Sequence, residues 1–226
     1  MRLDFIEIGT ADWDTLLQQL GDTKFGFSIE PIKKYLDNLP DKPNVKKLNY
    51  AMTDDSSLDE IDVYYVDESL IGDHTGLNGF IKGCNSVGRP HDFHTGYYPD
   101  PNFWHRYNDR KNLPSRNLLE EGLVTQLKVR CITFEKLVND YNIEYVEFIK
   151  IDTEGQDSKL VNSILDYSEK NGFELPKKIL FETNAHNNPI EVSETCLRLV
   201  KLGYRIDHGW NGQKFDERIL DCLAVR

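Results

Sequence analysis

Apolar residues along the chain fall into short runs that alternate with stretches of helical spacing. "LDFIEIG" (3–9) is an apolar run closed by glycine and predicts a strand. In "WDTLLQQL" after it, Leu16, Leu17 and Leu20 recur at helical spacing, with Asp12 or Asp14 as candidate N-cap. "FGFSIEP" (25–31) predicts a second strand stopped by Pro31, and "IKKYLDNLP" a helix ended before Pro40. "VKKLNYAM" (45–52) reads as a third strand, "IDVYYV" (61–66) and "LKVRCIT" (127–133) as two more. Phe134, Leu137, Val138 and Tyr141 then share one face of an amphipathic helix. The strand "VEFIKID" leads to a helix carrying Leu160, Val161, Ile164 and Leu165. The strand "KKILFETN" (177–184) leads to one marked by Val192, Cys196, Leu199 and Val200. "YRIDHGW" and "ILDCLAVR" predict a closing strand pair.

Strands alternating with helices imply parallel strands joined by crossovers. The expected class is therefore α/β: a three-layer sandwich, helices on both faces, its mostly parallel sheet closed by an antiparallel C-terminal strand pair. One domain spanning 1–226 is expected. Residues 67–120 break the rhythm with no sustained period. They hold His74, His91, His94 and His105 and an aromatic cluster of Phe93, Tyr97, Tyr98, Phe103, Trp104 and Tyr107. A connection this long is usually a functional lid or disordered, and the aromatic content argues for an ordered excursion over the active rim.

Composition narrows the class. The chain has 226 residues, 39% hydrophobic and 29% charged, as an ordinary globular domain has. A net charge of −11 argues against nucleic-acid binding, which needs a basic surface. No apolar run approaches the ~18 residues that span a bilayer, and no secretory signal is visible. Met1 sits almost on the first apolar run, so the chain can equally be a domain cut from a longer one. Four scattered cysteines without a CxxC pair point to reduced thiols and a cytoplasmic setting.

Candidate chemistry falls at strand ends, where open α/β sheets bind ligands. In "EIGTAD" (7–12), Gly9 permits a tight turn, while Glu7 suits a ligand carrying an ammonium or hydroxyls. The turn lacks GxGxxG, which weakens a pyrophosphate site. Glu30 ends the second strand, placed to accept two hydrogen bonds from a ribose diol. In "NYAMTDD" (49–55), Met52 can pack on an adenine face and Asp54 can accept from its amino group. "FIKIDTEGQD" (148–157) ends a buried strand in Asp152, Glu154 and Gly155, with Glu182 as its counterpart in "LFETN". If their strands are neighbours, Asp152 and Glu182 can hold a hard divalent cation, or one can take up a proton. His186 could join either arrangement. Each feature alone also has a plain structural reading as a turn, a cap or a solvated strand end.

Together and in this order, the features resemble class I S-adenosylmethionine-dependent methyltransferases, and more narrowly the FkbM family. The signature is Lys150-Ile151-Asp152-Thr153-Glu154-Gly155. "IEIGTADWD", "NYAMTDD" and "VRCITFEKLV" support it. The likeness covers about 3–66 and 123–184 and is weak over 67–120; the first turn departs from the commoner D-x-G-A-N form. The resemblance implies a Rossmann-like fold and O-methylation of sugar or natural-product hydroxyls. It places Glu7, Gly9 and Thr10 around the methionine portion of S-adenosylmethionine, Glu30 on the ribose, Met52 and Asp54 beside the adenine, and Asp152 where methyl meets acceptor.

The acceptor expected is a glycan or a small molecule, and its hydroxyl must be deprotonated or polarised as it attacks. Asp152, Glu182 and a histidine of the excursion, His94 or His91, are the candidate activators. A cation on Asp152 and Glu182 is an alternative to a base. Rival readings are a non-sugar hydroxyl acceptor, an inactive methyltransferase-like interaction module, and a dinucleotide-dependent oxidoreductase. Oligomeric state is open.

Overall fold

The computed structural model describes residues 1–12, 15–77, 79–96, 116–183, 187–208 and 221–226. The chain forms two compact units, Met1–Ile61 with Val129–Arg226, and Asp62–Lys128. In chain order its strands are β1 (Arg2–Ile8), β2 (Gly26–Ile29), β3 (Val45–Leu48), β4 (Ala51–Met52), β5 (Glu60–Tyr65), β6 (Ser86–Val87), β7 (Thr125–Ile132), β8 (Tyr145–Ile151), β9 (Lys178–Glu182), β10 (Arg205–His208) and β11 (Asp221–Val225). Its helices are α1 (Leu16–Gln19), α2 (Lys33–Asn38), α3 (Asp92–Thr95), α4 (Phe134–Tyr141), α5 (Asp157–Asn171) and α6 (Pro189–Lys201).

The larger unit is built on a seven-stranded sheet in the order β10-β11-β9-β8-β1-β2-β3. β3, β2, β1, β8 and β9 run parallel, while β11 pairs antiparallel with both β9 and β10. β1 and β8 sit at the centre, which explains their nearly continuous apolar runs: both faces are covered. Ile6, Ile149 and Ile179 are fully buried and pack with Leu160, Val161, Ile164 and Leu165 of α5 and with Phe134, Leu137 and Val138 of α4. Each such side chain contributes about 1.5–3 kcal/mol by leaving water. α5 stops at Gly172, whose φ of 66° supplies the left-handed cap.

Three local expectations change. The N-cap of α1 is Thr15, whose hydroxyl accepts from Gln18 N in a capping box, and not Asp12; Asp14 lies outside the described residues. The third predicted strand is two. Asn49 donates its side-chain amide to the carbonyls of Glu30 and Pro31, so the chain turns after Leu48; β3 then pairs with β2, and β4 with β7. On α6, Leu199 is buried but Val200 is 53% exposed, because the helix lays a narrower stripe on the sheet than the apolar spacing predicts.

The smaller unit has its own core of Val66, Leu77, Ile81, Cys84, Phe93 and Leu118. β5 and β6 pair antiparallel, short 3-10 turns at Glu68–Leu70 and Gly79–Gly83 lie between them along the chain, and α3 follows β6.

Candidate active site

Three adjacent strands end side by side. Gly9 N donates to Ile29 O at 2.9 Å, Asp152 N to Ile8 O at 2.9 Å, and Glu30 N to Leu48 O at 3.1 Å. Gly9, Glu30 and Asp152 therefore share the carboxyl edge of the sheet. They do so where strand order reverses, since β2 and β3 build outward on one side of β1, and β8 and β9 on the other. That reversal opens the crevice in which α/β sheets bind ligands.

On the β1–β2 side the backbone is tight. A Cβ on Gly9 would lie 1.9 Å from Asp152 O, and its φ is +75°, so only glycine fits. Thr10 is buried beside it, its hydroxyl donating to Ala11 O at 3.2 Å. Glu30 is buried and accepts from Ala11 N and Ile32 N, both at 2.8 Å. Burial pushes its carboxyl up to about 7, although those two amides pull it down. Glu7 is fully enclosed; its Oε1 accepts from Leu16 N at 2.8 Å and from Lys150 Nζ at 3.2 Å, and its Oε2 has no hydrogen-bond partner among the described residues. Burial raises the Glu7 carboxyl, partly offset by Lys150. Met52 is buried in β4, while Asp54 beyond it is exposed.

The β8–β9 side gathers carboxylates. Asp152, Glu154 and Glu182 each offer an oxygen lying within 4.8 Å of the others. Burial, the first cause, and then the Glu154 charge hold both Asp152 and Glu182 well above the usual carboxylate range; Lys150 only moderates Asp152. Beneath them Asp157, fully buried in the first turn of α5, accepts from Thr153 N, Thr153 Oγ1, Gly155 N and, at 3.4 Å, Glu182 N. It thereby ties the turn after β8 to the end of β9. Burial raises it to about 6, against those donors. Glu154 adopts a φ of +53° in that turn, followed by Gly155 at +109°.

His94 belongs to the other unit. It is fully buried, its Nδ1 accepts from His91 N at 3.3 Å, and burial followed by the neighbouring His91 lowers it to about 3. His91 is buried there too, and its Nδ1 accepts from Phe93 N. His186, His105, Tyr97, Tyr98, Phe103, Trp104 and Tyr107 lie outside the described residues. Sequence reasoning gave no role to Asp157 or Lys150. The first is an acid in the first turn of a helix, a common N-terminal signal; the second is a lysine inside an apolar strand, which demands a buried partner.

A family profile described as methyltransferase FkbM domain matches residues 7–206. No curated protein and no solved structure matches the chain. That family match makes the protein a methyltransferase in the general sense. The chain belongs to the FkbM methyltransferase-domain family.

Proposed function

We propose that the protein transfers a methyl group from S-adenosylmethionine to a hydroxyl oxygen of a sugar or glycan, on a Rossmann-like class I scaffold. The observation that carries this is the shared edge: Glu30 and Asp152 flank Gly9 from the two sides of the strand-order reversal. The residues present fit the cofactor. Each Glu30 oxygen holds one backbone amide and keeps acceptor capacity for a ribose diol. Gly9 lets a ligand approach the backbone closely. Glu30 would hold the ribose, Gly9 and Thr10 the methionine portion, and Met52 and Asp54 the adenine. Enclosed Glu7 would order the turn through the α1 amide and Lys150.

When bound, S-adenosylmethionine supplies a methyl group on an excellent sulfonium leaving group, so positioning carries much of the rate. What the chain must add is a proton acceptor for the hydroxyl. Asp152 is the first choice and Glu182 the second, because carboxyls held well above their ordinary range are stronger bases. His94, neutral but enclosed, is the less favoured base. The sugar preference rests on the aromatic content of 67–120, since a pyranose presents C–H faces to rings; that segment would select the acceptor as a lid. Free cysteines fit a reducing, cytoplasmic setting. Among the described residues, no helix is long and apolar enough to cross a membrane.

The test is transfer of labelled methyl onto a panel of glycans and small hydroxylated acceptors, with titrations of S-adenosylhomocysteine and NAD alongside. Transfer to a glycan supports the full proposal, and transfer only to a non-sugar hydroxyl corrects the acceptor. S-adenosylhomocysteine binding without any transfer identifies an inactive module, and NAD binding in its place overturns the methyl-transfer reading.

A further inference from the structure

The four cysteines stand far apart in the sequence, and the fold brings two of them together. Cys196 lies on α6 and Cys222 on β11, 26 residues apart along the chain, with their Sγ atoms 4.0 Å apart. Alternation along β11 turns Cys222 and Ala224 into the core, where both are fully buried. Cys196 packs against the same core but stays half-buried. One sulfur is enclosed, and the other is within reach of a small solute. To bond, the sulfurs must close by about 2 Å, which rotation about a Cα–Cβ bond between staggered positions spans. The other two cysteines are placed differently. Cys84 is buried in the core of the smaller unit, and the buried Cys131 donates its thiol to Leu58 O at 3.0 Å.

We propose that Cys196 and Cys222 are a thiol pair oxidised by hydroperoxides to a disulfide, Cys196 attacking first and Cys222 resolving. Cys196, its proton lost to water, attacks one peroxide oxygen. The S–O bond forms, the O–O bond breaks, and the departing hydroxide takes a proton to become water. The sulfur of Cys222 then attacks Cys196 Sγ. The S–S bond forms, the S–O bond of the sulfenic acid breaks, and the departing oxygen leaves with the Cys222 proton as water. With hydrogen peroxide, two thiols and one peroxide give one disulfide and two waters, and two electrons pass from sulfur to oxygen. The local charges suit that order. The Cys222 thiol beside Cys196 lowers it, against burial, while Cys196 and then burial raise Cys222. The outer sulfur therefore becomes the thiolate, which is the nucleophilic form. The disulfide fastens α6 to β11, which lies between β9 and β10 in the sheet. This chemistry needs neither cofactor nor methyl acceptor.

The experiment exposes the reduced, folded full chain to hydrogen peroxide, blocks the remaining thiols with N-ethylmaleimide in denaturant, and reads masses. Alkylated thiols should fall from the four free cysteines of the reduced chain to two. Digestion should yield one cross-linked peptide pair holding Cys196 and Cys222, and dithiothreitol should restore all four thiols. Cys222→Ser should stop at a sulfenic acid on Cys196, captured by dimedone. Cys196→Ser should keep its other thiols at the same peroxide dose. Four thiols left in the wild type, a cross-link that omits either cysteine, or one that joins two chains overturns the proposal.

Discussion

The two halves of the sheet edge set the same residue type in different surroundings. On the β1–β2 side, the Glu7 and Glu30 carboxylates are engaged by the chain itself: Glu30 by two backbone amides, Glu7 by an amide and the Lys150 ammonium. On the β8–β9 side, Asp157 takes donors from Thr153, Gly155 and Glu182, and oxygens of Asp152, Glu154 and Glu182 lie within 4.8 Å of one another. In the first half the chain's own donors order the acids, and Glu30 keeps acceptor capacity besides. The second packs acids against one another, where burial and like charge raise Asp152 and Glu182. The difference teaches that burial of a carboxylate says little about its role; where its hydrogen-bond donors come from says much more.

Asp152→Ala should sharpen the contrast most. Loss of the proposed base lowers the methyl-transfer rate about 10³-fold, ~4 kcal/mol in the barrier, with a melting temperature no lower than the wild type's. Full activity would remove Asp152 from the chemistry. Lys150→Ala should act the other way, through stability. It leaves Glu7 buried without its cation and costs about 3–5 kcal/mol in denaturant unfolding; a loss under 1 kcal/mol would mean Glu7 is not held by that pair. Gly9→Ala places a Cβ against Asp152 O at a φ of +75°. It should cost at least about 2 kcal/mol of stability and abolish S-adenosylhomocysteine binding by calorimetry.

A pH series compares the halves through Glu30. Its folded pKa, about 7, lies above the ordinary 4.5. Below 4.5 both states keep the proton. Between 4.5 and 7 the unfolded chain releases it while the native one holds it, so stability falls as pH rises through that window. Relative to Glu30→Gln, the wild type should lose on the order of 2–3 kcal/mol across it. A parallel pair of curves would show that Glu30 titrates normally. The smallest effect is expected at Glu182→Gln. Relieving one like charge should raise metal-free stability at pH 7 by about 1 kcal/mol while reducing transfer, a trade of stability for activity.

Much of this was legible beforehand because hydrophobic period reports burial directly. The alternation of "LDFIEIG", "FGFSIEP", "VEFIKID" and "KKILFETN" with helical spacings placed the strands, and strand ends marked the acids. The break after Leu48 was not legible, since Asn49 ends β3 by bonding to Glu30 and Pro31, residues nearly twenty positions away. The role of Asp157 was hidden likewise: nothing local distinguishes an acid that caps its own helix from one that ties two strands.

By itself the sequence determined the periodicity of the elements, the need for glycine at position 9, and the acid-bearing motif that marks the family. Only the tertiary structure decided which donors meet Glu7, Glu30 and Asp157 and which acids lie close together. The reason is that hydrogen-bond satisfaction depends on donors brought from distant segments. A carboxylate's neighbours along the chain do not specify its neighbours across the sheet.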